Sequence, residues 1–121
     1  MKQWMYRIAA LLALVIGAMA IFAGGQVLVG KIPDYYVIDW LPIYNFTLGI
    51  LSVFVTAILI WRRSRYALPA AVATLSLHVF VMLFLQIGYG DVVANDSIMA
   101  MTIRITVWII ILALLFFASR R

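Results

Sequence analysis

The sequence has no cysteine and no glutamate in its 121 residues, and it has a single histidine. Without cysteine, the chain has no disulfide bond, no thiolate ligand for a metal and no cysteine nucleophile. Its acids are four aspartates, and none of them lies in the middle of an apolar run. This pattern disfavours an antiporter that depends on a carboxylate within the bilayer, because such a group must lie at membrane depth.

Charged residues are also scarce: they make up 11% of the chain, whereas hydrophobic residues make up 68%. A soluble globular domain is about a quarter charged and about half apolar. We therefore predict an integral membrane protein. Because the polar segments between the apolar runs are too short to fold separately, we predict a single membrane domain over residues 1–121.

Four apolar runs are each long enough to cross a bilayer as a helix, which takes about 20 residues. The predicted spans are residues 8–29, 41–61, 67–87 and 98–119. Short polar connections join them, so consecutive helices are expected to be antiparallel neighbours. The predicted fold is all-α: a four-helix transmembrane bundle with up-and-down topology.

Small and polar residues recur every three or four positions in the first two spans, and this spacing places them on one face of a helix. In the first span they are Ala10, Ala13, Gly17, Ala20 and Gly24. In the second span they are Asn45, Gly49, Ser52 and Thr56. Small residues let membrane helices approach closely, so we expect these faces to pack inside the bundle.

Basic residues fall almost entirely on one side of this topology. That side has no acid, and its cations are Lys2, Arg7, Arg62, Arg63, Arg65, Arg120 and Arg121. The other side holds Lys31, Asp34, Asp39, Asp91 and Asp96. Since cytoplasmic loops are rich in lysine and arginine, we predict a multi-pass protein of the cytoplasmic (inner) membrane with both termini in the cytoplasm. The net charge of +5 then reflects topology, and no nucleic-acid partner is expected.

Arg104 is the one charge inside a predicted span. Insertion scales assign a mid-helix arginine a cost of about 2.5–3.5 kcal/mol, so its side chain needs a partner, a water-filled cavity or a nearby interface. We expect an outward-facing pocket in which Arg104, paired with Asp39, Asn45 or Gln86, binds a carboxylate or a lipid phosphate. The predicted pocket residues are Asp39, Trp40, Tyr44, Asn45, Gln86 and Arg104. Two alternatives stay open: Arg104 extends outward to the interface or links helices as a structural contact, and Asp39 caps the second helix.

His78 lies near the middle of the third span. At four-residue steps it shares a stripe with Thr74, Met82 and Gln86, so we expect it to face the bundle, to hydrogen-bond across helices and to belong to the ligand-binding candidates. Imidazole and thioether groups also bind haem and copper. Because no second histidine is present, we predict no metal and no cofactor, and a redox subunit centred on His78 is kept as an alternative.

No nucleophile, base and orienting group occur together at a plausible spacing, so the sequence predicts no catalytic residue and does not favour an enzyme. We expect a small non-enzymatic membrane protein that acts through association, as a homo-oligomer or as a subunit of a larger membrane complex. Membrane lipids are its other expected partners. The alternative from a different class is a small transporter or channel for an anion or an organic acid that uses Arg104 as its binding charge.

Overall fold

Four helices form the regular structure of residues 3–31 and 37–119, which are the residues described in this computed structural model. They are α1 (Gln3–Leu28), α2 (Leu41–Trp61), α3 (Ala67–Gly88) and α4 (Asn95–Ser119). Each is long and apolar enough to cross a membrane. The prediction of an all-α fold with four membrane-length helices is confirmed. Four charged residues of the predicted topology lie outside the described residues, namely Lys2, Asp34, Arg120 and Arg121.

Two helices extend further than the apolar runs that predicted them. The first begins at Gln3 rather than at residue 8, and the fourth begins at Asn95 rather than at residue 98. Helical hydrogen bonding does not depend on hydropathy, so polar first turns continue beyond the apolar stretch. Asp96 lies in the first turn of α4, where a carboxylate interacts favourably with the helix dipole.

The middle of α2 contains a wide π-helical turn at Ser52–Thr56, which the periodicity of the sequence did not predict. Here the Ala57 N–H donates to the carbonyl of Ser52, five residues earlier, instead of four residues earlier as in an α-helix. Ser52 and Thr56 are both buried. The turn therefore leaves the hydroxyl-bearing residues of the predicted stripe inside the bundle, and turns of this kind are frequent at functional sites.

The closest helix pair is α1 against α2, and glycines make the contact. A Cβ atom added to Gly24 would lie 2.5 Å from the Pro42 carbonyl oxygen, and one added to Gly49 would lie 2.7 Å from the Gly17 carbonyl oxygen. Neither position has room for a side chain. Since positions late in α1 meet positions early in α2, the two helices are antiparallel. The small stripe predicted for α1 is buried as expected.

The other contacts complete a ring in which α1 packs on α4, α4 packs on α3, and α3 touches α2 mainly beside the π turn. Two apolar clusters fill the bundle. The cluster toward the α1 start includes Ala13, Ile60, Ala71, Trp108 and Ile111. The cluster at the opposite end includes Ile38, Leu41, Val81, Leu85 and Met101. Between them along the helices lies a layer of polar side chains, and this layer is the candidate site.

Candidate functional site

Arg104 lies on the buried stripe of α4, one turn from Met101 and one turn from Trp108. Its side chain is 6% exposed. The guanidinium Nη1 donates a hydrogen bond of 2.5 Å to Oδ1 of Asn45 in α2. The structure therefore brings together Arg104 and one of the three partners that the sequence suggested for it, and the bond links α4 to α2 across the bundle.

Tyr44 and His78 form a second polar contact beside the first. The Tyr44 hydroxyl and His78 Nδ1 are 2.6 Å apart, a hydrogen-bond distance at which the histidine tautomer decides which group donates. The His78 ring is also 6.5 Å from the Trp108 ring, centroid to centroid. His78 is buried and hydrogen-bonds to another helix, in agreement with its predicted role.

These two contacts form one polar layer. Asn45, His78 and Arg104 line the same small cavity, and Tyr44 is hydrogen-bonded to His78, so the two contacts lie side by side. Inside a bundle such interactions are stronger than in water, because the surroundings screen them less. The layer thus joins α2, α3 and α4, and it places a cation, an amide, a phenol and an imidazole together.

Two small cavities adjoin the layer. The inner one has a volume of about 10 Å³ and is lined by Asn45, His78, Arg104 and Trp108 together with small residues of α1 and α2. A cavity of this volume has room for about one water molecule. The outer one, of about 30 Å³, lies toward the starts of α2 and α4, and its lining includes Asn45 and Ser97. Asn45 lines both cavities.

Two of the predicted pocket residues do not join the layer. Asp39 and Gln86 are exposed. The N-cap of α2 is Trp40, whose side chain makes no capping hydrogen bond to the first turn. A stripe drawn at four-residue steps drifts by about 40° a step, because a helix has 3.6 residues a turn. Starting from Thr74, the buried stripe of α3 continues through His78 to Val81 and Leu85, and therefore leaves Gln86 outside. The structure therefore leaves Asp39 and Gln86 at the surface, and their part in a ligand pocket stays a prediction from sequence.

Trp40 belongs to a neighbouring aromatic cluster rather than to the contact with Arg104. Its indole N–H donates to the Tyr89 hydroxyl at 3.1 Å, and its ring packs against the rings of Tyr44, Phe84 and Tyr89. Tyr44 therefore connects this cluster to the polar layer through its hydroxyl. The cluster ties the start of α2 to the end of α3.

The sequence did not predict the pairing of Tyr44 with His78. Tyr44 is one turn into α2, whereas His78 is near the middle of α3, so their backbone positions suggested different depths. Backbone position does not report where the hydroxyl of a long side chain lies. A useful signal was present nonetheless, since a buried imidazole must find a hydrogen-bond partner and few polar groups of the outer half were available.

The side chains around His78 bear on the cofactor hypothesis. Met82 is half-buried, whereas Met101 is buried and Met99 is exposed on another side of α4. Among residues 3–31 and 37–119, no three His, Cys, Asp or Glu side chains cluster in a way that could hold a metal ion. The redox hypothesis centred on His78 stays a prediction from sequence.

The described residues form a bundle of four helices, each long and apolar enough to cross a membrane, and its interior holds a hydrogen-bonded arginine. No family model, no curated protein and no solved structure matches the chain.

Proposed function

We propose that this chain is a small non-enzymatic membrane protein that acts through association, with copies of itself or with other membrane subunits, and that Arg104 binds a small anionic group. The observation that carries the proposal is the hydrogen bond from the buried Arg104 to Asn45, a residue that lines two cavities. Membrane proteins rarely retain a charge at this depth without a task for it. In this proposal the protein lies in the cytoplasmic membrane with both termini in the cytoplasm.

The chemistry of the layer suits a carboxylate or the terminal oxygens of a phosphate. A guanidinium carries five N–H donors in a planar fork, and it binds two oxygens of one anion at once. The Tyr44 hydroxyl and the Asn45 amide add neutral groups that can donate to further oxygens. The cavities hold only a few tens of cubic ångströms, so the group that reaches Arg104 is the head of a ligand rather than a whole lipid.

Access to Arg104 is proposed from the outer cavity. Asn45 lines that cavity and the inner one, and its amide oxygen accepts a hydrogen bond from Arg104. Rotation of the Asn45 side chain would join the two spaces and give an anion the place of the amide oxygen. Binding then exchanges a neutral acceptor for a charged one, which makes a shorter and stronger bond to arginine.

Native mass spectrometry of the protein released from nanodiscs tests the proposal, because one spectrum reports both the oligomeric state and any retained mass. We expect an oligomer, or a complex with other subunits, that carries a defined small adduct. Addition of acetate or inorganic phosphate to protein stripped of that adduct should raise its thermal unfolding midpoint. Arg104→Gln should lose both the adduct and the stabilisation, because glutamine has no charge.

Arg65→Gln is the matched control, since Arg65 is an exposed arginine in the turn after α2. It should keep the adduct and the stabilisation. If Arg104→Gln retains both in a folded protein, the ligand part of the proposal is wrong and Arg104 is a structural link between helices. A monomer under all conditions would contradict the association part.

A second candidate function, transport of a small anion, has one observation in its favour. The buried hydroxyl residues Ser52, Thr56 and Thr74 continue from the polar layer toward the other end of the bundle. Such a line offers hydrogen-bonding groups beyond Arg104. Flux of organic acids into liposomes that is abolished by Arg104→Ala would support transport, whereas no flux across a panel of anions would favour association.

A further inference from the structure

A large apolar groove runs along the outside of the bundle between α1 and α2, at the end opposite the outer cavity. Its volume is about 330 Å³, within the range of roughly 300–1,000 Å³ found for small-molecule sites. Leu11 and Leu14 form one wall, Ile58 and Trp61 form the other, and the buried Ala10 and Ala57 contribute to the floor between them. The wall residues are all 42% exposed or more, so the groove opens away from the bundle.

The length of the groove corresponds to one leaflet of a bilayer. Its lining on α2 extends from Val53 to Trp61, and eight residues of helix span roughly 12 Å. One leaflet contributes half of a hydrocarbon core of about 30 Å. The groove therefore has a length and an apolar lining that suit a single acyl chain.

The end of the groove at Trp61 is its mouth. Near this end, positive charge lies over aromatic rings. The guanidinium of Arg7 lies over the ring of Trp61, 5.5 Å from its centroid. The guanidinium of Arg63 lies over the ring of Tyr6 at 6.0 Å. Both arginines are exposed, and Arg62 adds a third exposed cation between Trp61 and Arg63. The described aspartates belong to the opposite helix ends, so the charge at the mouth has one sign.

The backbone conformation of Arg63 singles out this residue independently of its charge. The Ser64 N–H donates to the Leu59 carbonyl and the Arg63 N–H donates to the Ile60 carbonyl, which is the Schellman pattern that ends a helix. This pattern needs a left-handed residue at the position of Arg63, where glycine is usual, and Arg63 has φ 53°. An arginine here is strained, and its side chain is the feature that glycine could not supply.

We propose that the groove binds one acyl chain of an anionic phospholipid, whose phosphate contacts Arg7 and Arg63. The acyl chain lies along the apolar walls, and the two guanidiniums match a phosphate in charge and in hydrogen-bond geometry. A transmembrane helix of a partner protein fits less well, because it would bring apolar side chains but no anion to the mouth. This site is separate from the Arg104 layer and does not depend on the function proposed for that layer.

Native mass spectrometry with a defined lipid mixture tests the proposal. The protein in detergent is mixed with equal amounts of phosphatidylglycerol and phosphatidylcholine with identical acyl chains, and the lipids retained per chain are counted. We expect the wild-type protein to retain phosphatidylglycerol at least about fivefold over phosphatidylcholine, and higher salt to reduce this preference because salt screens exposed charges. Equal retention of the two lipids would overturn the proposal.

Arg63→Gly separates lipid binding from folding. Glycine relieves the left-handed strain, so the variant should unfold at the same temperature as the wild type or at a higher one, while the preference for phosphatidylglycerol falls. Arg7→Gln combined with Arg63→Gly should abolish the preference. Arg65→Gln is the matched control, because Arg65 also lies over a ring, that of Tyr66, but does not face the groove mouth through Trp61 or Tyr6. A preference that survives in the double variant would refute the site.

Leu14→Trp tests the apolar part, since it fills the groove from its open side. It should lower the retention of both lipids and leave the residual preference between them unchanged. If instead the wild-type protein excludes lipid and is a dimer that Leu14→Trp dissociates, a second copy occupies the groove and the lipid proposal is wrong.

Discussion

A contact with a single residue offsets much of the free-energy cost of placing Arg104 inside a membrane helix. A mid-span arginine costs about 2.5–3.5 kcal/mol on insertion scales. A hydrogen bond to a charged group contributes about 1.5–3 kcal/mol, so the bond to Asn45 offsets a large share of this cost. Asn45 is therefore as much a part of the site as the arginine, although asparagine alone in a membrane helix would attract little notice.

The contact between Tyr44 and His78 is expected to couple the two side chains measurably. In a double-mutant cycle of Tyr44→Phe and His78→Leu, we predict a coupling energy of about 0.6 kcal/mol, and at most about 1.7 kcal/mol, the range of polar contacts between membrane helices. The measurement is the free energy of unfolding in mixed micelles. Each single variant removes one partner of a 2.6 Å contact, so both should lower stability.

The control cycle pairs His78→Leu with Tyr66→Phe. Tyr66 is exposed at the start of α3, and its hydroxyl contacts Arg65 rather than His78. The two effects should add within experimental error. Additive effects in the Tyr44 cycle as well would mean that the Tyr44–His78 bond is absent in the folded protein.

At this scale the sequence predicted some contacts and missed others for identifiable reasons. Helical spacing places Met101, Arg104 and Trp108 on one face of α4, and all three are buried. Asn45 was among the expected partners of Arg104 because it lay on a polar stripe in the same half of the bundle. Gln86 is exposed rather than on the buried stripe, because four-residue steps drift around a helix and the deviation grows with each step away from the buried residue that starts the stripe.

Glycines set the distance between α1 and α2. Gly24 faces backbone atoms of α2, and a Cβ there would lie 2.5 Å from the Pro42 carbonyl oxygen and 2.7 Å from the Phe46 nitrogen. Backbone cannot yield as a flexible side chain can. Gly25, the next residue, has only the Phe46 ring nearby, with a nearest approach of 3.5 Å. Two neighbouring glycines thus differ in whether a methyl group fits.

We predict that Gly24→Ala and Gly25→Ala have opposite outcomes. Gly24→Ala should lower the free energy of unfolding by about 1–3 kcal/mol, the usual cost of overpacking, because α1 and α2 must move apart. Gly25→Ala should be neutral or stabilising by up to about 1 kcal/mol, since alanine favours a helix over glycine. Thermal or detergent unfolding of both variants measures the difference. Equal losses would contradict the close packing of Gly24 against α2.

Among the elements, the four helices were predictable and the π turn was not. Spanning length and hydropathy decide whether a membrane helix forms, and both are properties of composition. The wide turn at Ser52–Thr56 lies where Ser52 and Val53 of α2 pack closely on Gly17 of α1. The sequence shows only that hydroxyl and small residues recur there. It does not show whether the helix forms a π turn there or continues as an α-helix.

At the scale of the whole molecule, the two ends differ in charge and in chemistry. One end of the described bundle carries arginines on aromatic rings at the mouth of an apolar groove. The other end carries the described aspartates and the aromatic cluster around Trp40. The proposed lipid site and the proposed anion site therefore belong to opposite halves, and the orientation in the membrane decides which of them faces the cytoplasm.

We predict that the arginine end is cytoplasmic, and the chain is well suited to a test because it has no cysteine of its own. Single cysteines are introduced by Val92→Cys, in the exposed connection between α3 and α4, and by Ser64→Cys, in the turn between α2 and α3. In intact cells, a maleimide that does not cross the membrane should label Val92→Cys and leave Ser64→Cys unlabelled. The reason is that short loops rich in arginine are retained in the cytoplasm.

After permeabilisation both variants should react, which shows that each thiol is accessible, and the wild-type protein should show no labelling in either case. Labelling of Ser64→Cys but not of Val92→Cys in intact cells would show the opposite orientation. The groove would then bind lipid from the outer leaflet, and the Arg104 layer would bind an anion from the cytoplasm.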